Sequence, residues 1–498
     1  MMKKFFITTP IYYVNDVPHL GHLYTTLAGD ILARHYRLTG REVYFLTGTD
    51  EHGSKIAEAA EKHNQSPQAF VDNISEQFKQ VWQKYDITFD RFIRTTEEEH
   101  VKVVQQFLTD LQARGYIYKG EYSGLYCRGC EEYKKTSDLV DGLCPVHQRA
   151  PESLAEPAYF FKLSAFADQI SSLIDSRQLE IQPESRRNEV LSFLSSGLED
   201  VAISRQNVEW GIPLPWDQSH TIYVWIDALI NYYTAGLKVD CWPADWHLMS
   251  KDILRFHCVI WPAMLLALEL DLPKSIFIHG YFTVDGQKMS KSLGNVVNPL
   301  EMLQKYDRDV IRVFLFKSFP FGADGDFSWE LLDRFYNGQL ANELGNLVQR
   351  VLVMADKYCD GIVPKGGGSV LSELTLDFVQ NTRKDIEKLA FGDALNHIFS
   401  LIQLANRHID NIKLWDKSNE QAFINQGIAE LIELIRHLSI ALLPIMPDTA
   451  HKIAHSLNFD LKNSYTKDEY ETIIRWGNYL EGRKIVVPEV LFPRRGES

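Results

Sequence analysis

Two short runs, far apart in the chain, constrain this sequence more than anything in its composition. The first is His19-Leu20-Gly21-His22. It follows a β-rich run from Lys4 to Thr8 and a loop of Pro, Asn and Asp, and it opens a stretch from Leu20 to Leu38 with apolar residues at helical spacing. The second is Lys288-Met289-Ser290-Lys291-Ser292, flanked by Gly286 and Gly294 and preceded by the β-rich run Ile276 to His279. A helix start offers unpaired N–H groups and the positive end of the helix dipole, which suits a phosphate. Gly21 lets a flat base or a phosphate approach the backbone, and His19 and His22 can donate to phosphate oxygens. Two lysines on a glycine-flanked loop can close over a triphosphate as mobile point charges. Alone, each run has a bland explanation: a histidine cap with a surface neighbour, or a solvated basic loop. Together they predict an α/β nucleotide-binding fold whose loops open at the carboxyl ends of parallel strands.

Between the two runs the organisation changes. Glu42 to Leu46, ending in Thr47-Gly48-Thr49-Asp50, completes a βαβ unit. Helical patterns follow over Ser66 to Tyr85 and Thr96 to Arg114. From Gly115 short strands alternate with Gly, Tyr and Cys, and a mixed segment continues to about Pro215. Ile222 to Ala228 reads as a strand that resumes the sheet, so the stretch from about 117 to 215 reads as an insertion. Beyond Leu331 the pattern is helical almost to Ile474, interrupted by Lys365-Gly366-Gly367-Gly368 and by Pro444-Ile445-Met446-Pro447.

The inserted stretch holds Cys127-x-x-Cys130 followed by Cys144-x-x-His147, with Gly129 and Gly142 placed for tight turns. Three thiolates and one imidazole close a tetrahedral shell for one Zn2+. Four protein ligands leave no open position, so the expected zinc is structural. The other three of the six cysteines are scattered, which fits a metal site in a reducing compartment better than a disulfide framework.

Charge excludes some functions. A formal net charge of −14 over 498 residues argues against coating nucleic acid through bulk charge, although a local surface for one structured RNA remains open. No apolar run is long enough to span a bilayer. The start Met1-Met2-Lys3-Lys4 imitates the charged end of a signal peptide, but the apolar stretch after it breaks at Thr8-Thr9-Pro10. A cytoplasmic protein without a membrane partner is expected.

The pair of runs resembles the two signatures of class I aminoacyl-tRNA synthetases. Thr9-Pro10-Ile11-Tyr12-Tyr13, Thr49-Asp50-Glu51-His52-Gly53, Tyr223-Val224-Trp225-Ile226-Asp227-Ala228 and Lys251-Asp252-Ile253-Leu254-Arg255-Phe256-His257 resemble the methionyl members, and the likeness runs over nearly the whole chain. It implies a Rossmann-like parallel-sheet domain in two halves (1–116 and 216–290), split by a connective insertion with one zinc knuckle (117–215). A KMSKS loop and stem-contact region (291–334) and an α-helical anticodon-binding domain (335–498) follow. It further implies methionine, ATP with Mg2+ and tRNA(Met), the initiator included, as partners.

By the same resemblance, Asp50 binds the amino group of methionine. Ile11, Tyr13, Trp225, Ala228, Leu229, Tyr232, Phe256 and His257 line its side-chain pocket. ATP falls to His19, Gly21, His22, Asp252, Lys288, Met289, Ser290, Lys291 and Ser292, with His19, His22, Lys288 and Lys291 acting on the charge that develops in catalysis. Asn346, Arg350 and Trp415 read the anticodon; Leu414 departs from the proline found in many members. Taken without the resemblance, Trp225 and Tyr232 read first as packed core, and Trp415 reads equally well as core or as a stacking platform. An aromatic pocket suits a thioether, but one methylene of difference gives only about 1–3 kcal/mol, too little to separate methionine from leucine on physics alone.

Leucyl, isoleucyl and valyl enzymes usually carry a larger editing insertion, and a cysteinyl enzyme places its zinc at the substrate. A small-molecule nucleotidyltransferase needs no long helical tail, and a zinc-dependent RNA-binding protein needs no phosphate-binding runs. The chain stops at Leu491-Phe492-Pro493-Arg494, close after the helical region, where some members continue into a dimerising domain, so a monomer is expected.

Overall fold

The computed structural model describes residues 3–496, apart from 128, 130–131, 135–137, 147, 207, 290–293, 367–369 and 478–479; the side chains of 122–123, 132–133, 153–156, 288 and 370 are likewise not described. Phe5–Tyr13 (β1) and Val43–Asp50 (β2) are almost wholly buried, as strands covered on both faces must be. Successive side chains take opposite faces. Phe5, Ile7, Val43 and Phe45 enter one apolar core, while Phe6, Tyr44 and Leu46 enter a second. With Arg91–Arg94 (β3), Glu180–Gln182 (β4), Trp246–Ser250 (β5) and Ser275–His279 (β6) they form a six-stranded parallel sheet in the order β3-β2-β1-β5-β6-β4. The order reverses between β1 and β5, and ligands of open α/β sheets bind at such a crevice. The pairing of β1 with β2 shifts register between Thr8 and Ile11, where Pro10 brings no N–H to the ladder. That bulge re-aims Ile11 and Tyr13 at the carboxyl end of β1.

Leu20–Leu38 (α1) packs on the first core, with the bounds its periodicity predicts. Glu98–Ala113 (α2) and Val224–Lys238 (α3) pack on the second. Here the structure corrects one expectation. Ile222 to Ala228 is not a sheet strand: Asp217–Ile222 ends a small antiparallel sheet, Tyr223 turns the chain, and Val224 begins α3. β-branched and aromatic side chains suggest a strand, but tertiary burial of Ile226, Leu229, Ile230 and Tyr232 around a helix decides. Conversely, β4 comes from within the 117–215 stretch. Helices Ala167–Asp175 and Glu184–Ser195 flank it, and much of the remaining stretch forms an antiparallel ribbon, Ile117–Cys127 against Glu152–Phe161, with short edge strands at Glu132–Lys134 and Val201–Ala202.

Arg308–Ser318 (α4) leads to the helical region. A short helix, Trp329–Phe335, passes into a π-helix, Tyr336–Gly345, and then directly into Asn346–Cys359 (α5). Phe391–Ile412 (α6), Gln421–Leu442 (α7) and Pro447–Ser456 (α8) follow. The interior of these helices is continuous with the core on the α1 face of the sheet. A buried ion pair marks the joint. Arg312 on α4 donates to Asp30 on α1 at 2.7 Å, and to the carbonyls of Ile445 and Pro444 in the turn before α8 at 2.7 and 3.1 Å. Asp30 also accepts from Arg34 and from the backbone and hydroxyl of Thr88, each at 2.7 Å.

Candidate active site

A cleft of about 760 Å3 opens at the carboxyl ends of β1, β2, β5 and β6. It gathers Ile11, Tyr13, His19, Gly21, His22, Asp50, Trp225, Ala228, Leu229, Tyr232, Asp252, His257 and Met289, residues read from distant parts of the sequence. Phe256 stands behind this surface, stacked on Trp225 with ring centroids 4.3 Å apart. Ser290, Lys291 and Ser292 lie outside the described residues, and the side chain of Lys288 is not described. A second concavity of about 810 Å3 lies among Lys84, Arg308, Asp309, Asp448 and Val490. It touches neither the strand ends nor any motif residue, so the sheet cleft is the candidate site.

The start of α1 is built by its two histidines. The Gly21 N–H donates to His19 Nδ1 at 3.1 Å, and the His19 N–H donates to His22 Nδ1 at 3.3 Å, a reciprocal cap. The rings stack at 3.8 Å. An Nδ1 that accepts is unprotonated, so each neutral ring carries its proton on Nε2, as a donor. Burial, and then the neighbouring His19, hold the His22 imidazolium pKa well below the ordinary histidine range. A Cβ on Gly21 would stand 3.0 Å from the His19 ring.

The apolar end of the cleft is closed by a tautomer. His257 Nδ1 faces the Ile253 carbonyl at 3.0 Å and must donate to it. His257 Nε2 therefore accepts from the Tyr232 hydroxyl at 2.8 Å. Burial lowers the His257 pKa to about 4, which keeps the ring neutral. Opposite, Asp50 is 4% exposed at the end of β2. Asp252 is exposed on the turn after β5 and accepts from the Ser250 hydroxyl.

Several lining residues escaped the sequence reading. His279 and Gly280 follow β6, and Thr25 on α1 donates to His279 Nε2 at 2.6 Å while His279 Nδ1 donates to the Gly280 carbonyl at 2.7 Å. Asp324 accepts from the Tyr281 N–H and from Lys251, each at 2.8 Å. A Cβ on Gly280 would meet Asp324 at 2.3 Å, so the two segments touch only because residue 280 is glycine. Asp324 belongs to no motif, and no local pattern marks it. Val146, from the inserted lobe, also reaches the cleft.

In the helical region, the expected residues fall on outer surfaces. Asn346 and Arg350 share a face of α5 that meets α6 through Asn406 at 3.4 Å and Asp410 at 2.6 Å. α6 ends at Ile412, and Trp415 follows with 45% of its surface exposed, while Leu414 is fully buried. Trp415 is therefore not a core residue.

In the inserted lobe, Cys127 and Cys144 are buried, 3% and 0% exposed. Cys127 ends a strand, and Cys144 sits in a turn, its N–H donating to Arg149 and its carbonyl accepting from Gln148. Cys130 and His147 lie outside the described residues, and no metal-sized group of His, Cys, Asp and Glu occurs among the described ones.

A cleft at the strand-order reversal, with a histidine-capped helix start on one wall, defines a class of nucleotide-activating folds, and comparison with known proteins places the chain within it. A family model described as tRNA synthetases class I (M) matches residues 5–153 and 134–352. A methionine–tRNA ligase of Caldanaerobacter subterraneus subsp. tengcongensis is 45% identical over 99% of this chain and 79% of its own length. That of Streptomyces coelicolor is 41% identical over 100% of this chain and 97% of its own. Among solved structures, Mycobacterium tuberculosis methionyl-tRNA synthetase in complex with methionyl-adenylate superposes with a TM-score of 0.92 at 36% identity, covering 99% of this chain and 100% of that one. Its apo form gives 0.87 at 33% identity, covering 100% and 99%. The chain belongs to the class I tRNA synthetases, in the methionyl family.

Proposed function

We propose that this chain activates methionine with ATP to methionyl-adenylate and transfers the methionine to the 3′ end of tRNA(Met). The observation that carries this reading is the single cleft with two unlike ends: Nε2–H donors at the α1 start, and an aromatic pocket closed by Tyr232 and His257. The first suits a phosphate chain and the second a polarizable thioether.

In this reading Asp50 pairs with the ammonium group of methionine. Ile11, Tyr13, Trp225, Ala228, Leu229, Tyr232 and His257 enclose its side chain, with Phe256 backing Trp225. The carboxylate attacks the α-phosphorus of ATP in line, and pyrophosphate leaves. His19, His22, Lys288 and Lys291 neutralise the charge that grows there, and Asp252 meets the ribose. Mg2+ accompanies the triphosphate. No protein nucleophile is required. The decisive measurement is exchange of labelled pyrophosphate into ATP with each amino acid in turn. Exchange that depends on methionine alone supports the reading, and exchange driven better by leucine or cysteine overturns it.

Asn346, Arg350 and Trp415 are the proposed readers of the anticodon, by a charged donor and a stacking platform. Cys127, Cys130, Cys144 and His147 are the proposed holders of one structural Zn2+. Two buried cysteines in a lobe where, among the described residues, Ala158, Phe160 and Ala202 form a small apolar cluster apart from the main cores fit a metal staple. Metal analysis of protein purified without chelator should find one zinc per chain, and Cys144→Ser should weaken it. The proposed compartment is the cytoplasm; among the described residues no helix is long and apolar enough to cross a membrane.

A further inference from the structure

One buried carboxylate ties together three elements around the cleft without facing it. Asp227, 1% exposed in the first turn of α3, accepts from His52 Nδ1 at 2.7 Å through Oδ2 and from His100 Nε2 at 2.8 Å through Oδ1. His52 lies two residues beyond Asp50, on the loop that leaves β2. His100 lies on α2, fully buried, and its Nδ1 meets the Thr234 hydroxyl at 3.0 Å, two turns further along α3. The residues of α3 that line the cleft, Trp225, Ala228, Leu229 and Tyr232, belong to a different face of the same helix.

The two ties do different work. The His100 bond fixes α3 against α2, as any buried pair fixes two packed helices. The His52 bond instead sets the distance between two walls of the proposed methionine site, the loop carrying Asp50 and the helix carrying the apolar pocket. The loop is anchored on its other side as well. Glu51 accepts from Arg94 at 2.7 and 2.9 Å, and the Trp210 indole N–H donates to the Glu51 carbonyl at 2.5 Å. A ligand that must satisfy both walls at once feels small errors in their separation, because its ammonium group and its side chain are held from different walls.

We propose that His52 and Asp227 are positioning residues for the amino acid: their bond sets the Asp50 loop at the spacing from α3 that methionine spans. The proposal rests on the methionine reading above.

The experiment is methionine-dependent pyrophosphate exchange by the whole chain, with KM measured separately for methionine and ATP. His52→Ala removes the donor, and should raise the KM for methionine about tenfold while KM for ATP and kcat change by less than about threefold. His52→Asn supplies an amide N–H close to the lost Nδ1–H, and should restore most of the affinity. Both variants lose the imidazole that packs 5.7 Å from the Trp210 ring, so a purely packing role predicts that Asn fails as badly as Ala. His100→Ala should lower the melting temperature with little change in the KM for methionine. Asp227→Asn, if it folds, should raise that KM no further when combined with His52→Ala, since the two act through one bond. A KM for methionine within twofold of the parent in His52→Ala overturns the proposal, and so does an equal rise in the KM for ATP. A parent without methionine-dependent exchange overturns the functional reading and this proposal with it. A parent with it, beside an unaffected His52→Ala, overturns the proposal alone.

Discussion

The sheet half and the helical half of the molecule bury different things. Around the first βαβ unit, Thr8, Thr9, Thr25, Thr26, Asp30, Thr47, Thr49, Asp50, Glu51 and His52 are all buried. Along α7 the buried run is mostly aliphatic, Ile424, Ile428, Leu431, Ile432, Leu434, Ile435, Leu438 and Ile440, with Glu430, Glu433, Arg436, His437 and Ser439 buried among them and Arg436 held by Glu433 at 2.6 Å. Buried polar groups must be hydrogen-bonded, and in meeting that demand they fix the geometry of what surrounds them. The sheet half uses this to build a cleft from the inside. The helical half needs only a stiff frame, and its candidate RNA-reading side chains stand on the outside. Substitutions in the first should therefore damage chemistry, and those in the second should damage recognition.

The largest effect is expected where the two halves meet, because there the distinction should fail. Burial alone would raise the Asp30 pKa, but Arg34, Arg312 and Thr88 overcome it and hold it at about 2. Asp30→Asn leaves Arg312 buried and short of its counter-charge, which should cost roughly 3–5 kcal/mol in urea unfolding at neutral pH. Adenylate formation and tRNA charging should fall together. A depressed carboxyl pKa stabilises the fold above the ordinary value of 3.8, and that stabilisation is lost as pH falls toward 2. Asp30→Asn should accordingly show a shallower loss of stability in acid. A variant as stable as the parent removes the joint from the account.

Next in size is Lys291→Ala. If its charge acts mainly on the departing pyrophosphate, exchange should fall about a hundredfold or more with methionine binding nearly intact. An unchanged exchange rate ends that role.

Trp415→Ala sharpens the comparison from the other side. Exchange should stay at the parent level and the melting temperature should hardly move, since the indole is 45% exposed. Transfer to tRNA should weaken by roughly 1–3 kcal/mol, the worth of one stacked base. A folded Trp415→Ala protein that still discriminates anticodons as the parent does would falsify the assignment.

The smallest effect is a slope. Burial raises the Asp309 pKa to about 6, against the bond its carboxylate accepts from the Thr449 N–H at 2.7 Å. An acid whose pKa is raised on folding binds its proton more tightly in the folded state. Its stabilising contribution is present below about pH 3.8 and is lost as pH rises from there through about 6. Asp309→Asn should flatten stability across that window, a change on the order of 1 kcal/mol once local relaxation is allowed for. A parent with no slope there, or a variant with the same slope, counts against it.

What was legible in the sequence follows from the same contrast. The bounds of α1 were readable because its apolar spacing and its cap lie in one continuous stretch. Trp415 could not be placed by sequence, since an indole at a helix end serves equally as core or platform; its exposure settles that it is not core. The Ile222 to Ala228 segment misled because its residues favour strands, while the Asp227 bonds and the burial around α3 demand a helix. Asp324 and His279 reach the cleft through chain returns that no local pattern records. Glu180–Gln182, three residues long, joins the main sheet solely by pairing with β6.

The π-helix from Tyr336 to Gly345 has an evolutionary consequence. It joins two α-helical stretches into one unbroken rod from Trp329 to Cys359. A wide helical turn holds about one residue more than an α-turn, so it can take up or give up a residue without a loop. Dropping one residue there would let a wide turn tighten to an α-turn, and the face bearing Asn346 and Arg350 would keep its direction. The rod itself would survive. Loss of a single codon there is thus a change that descendants of this fold could absorb with the same two side chains still on the same side of the rod.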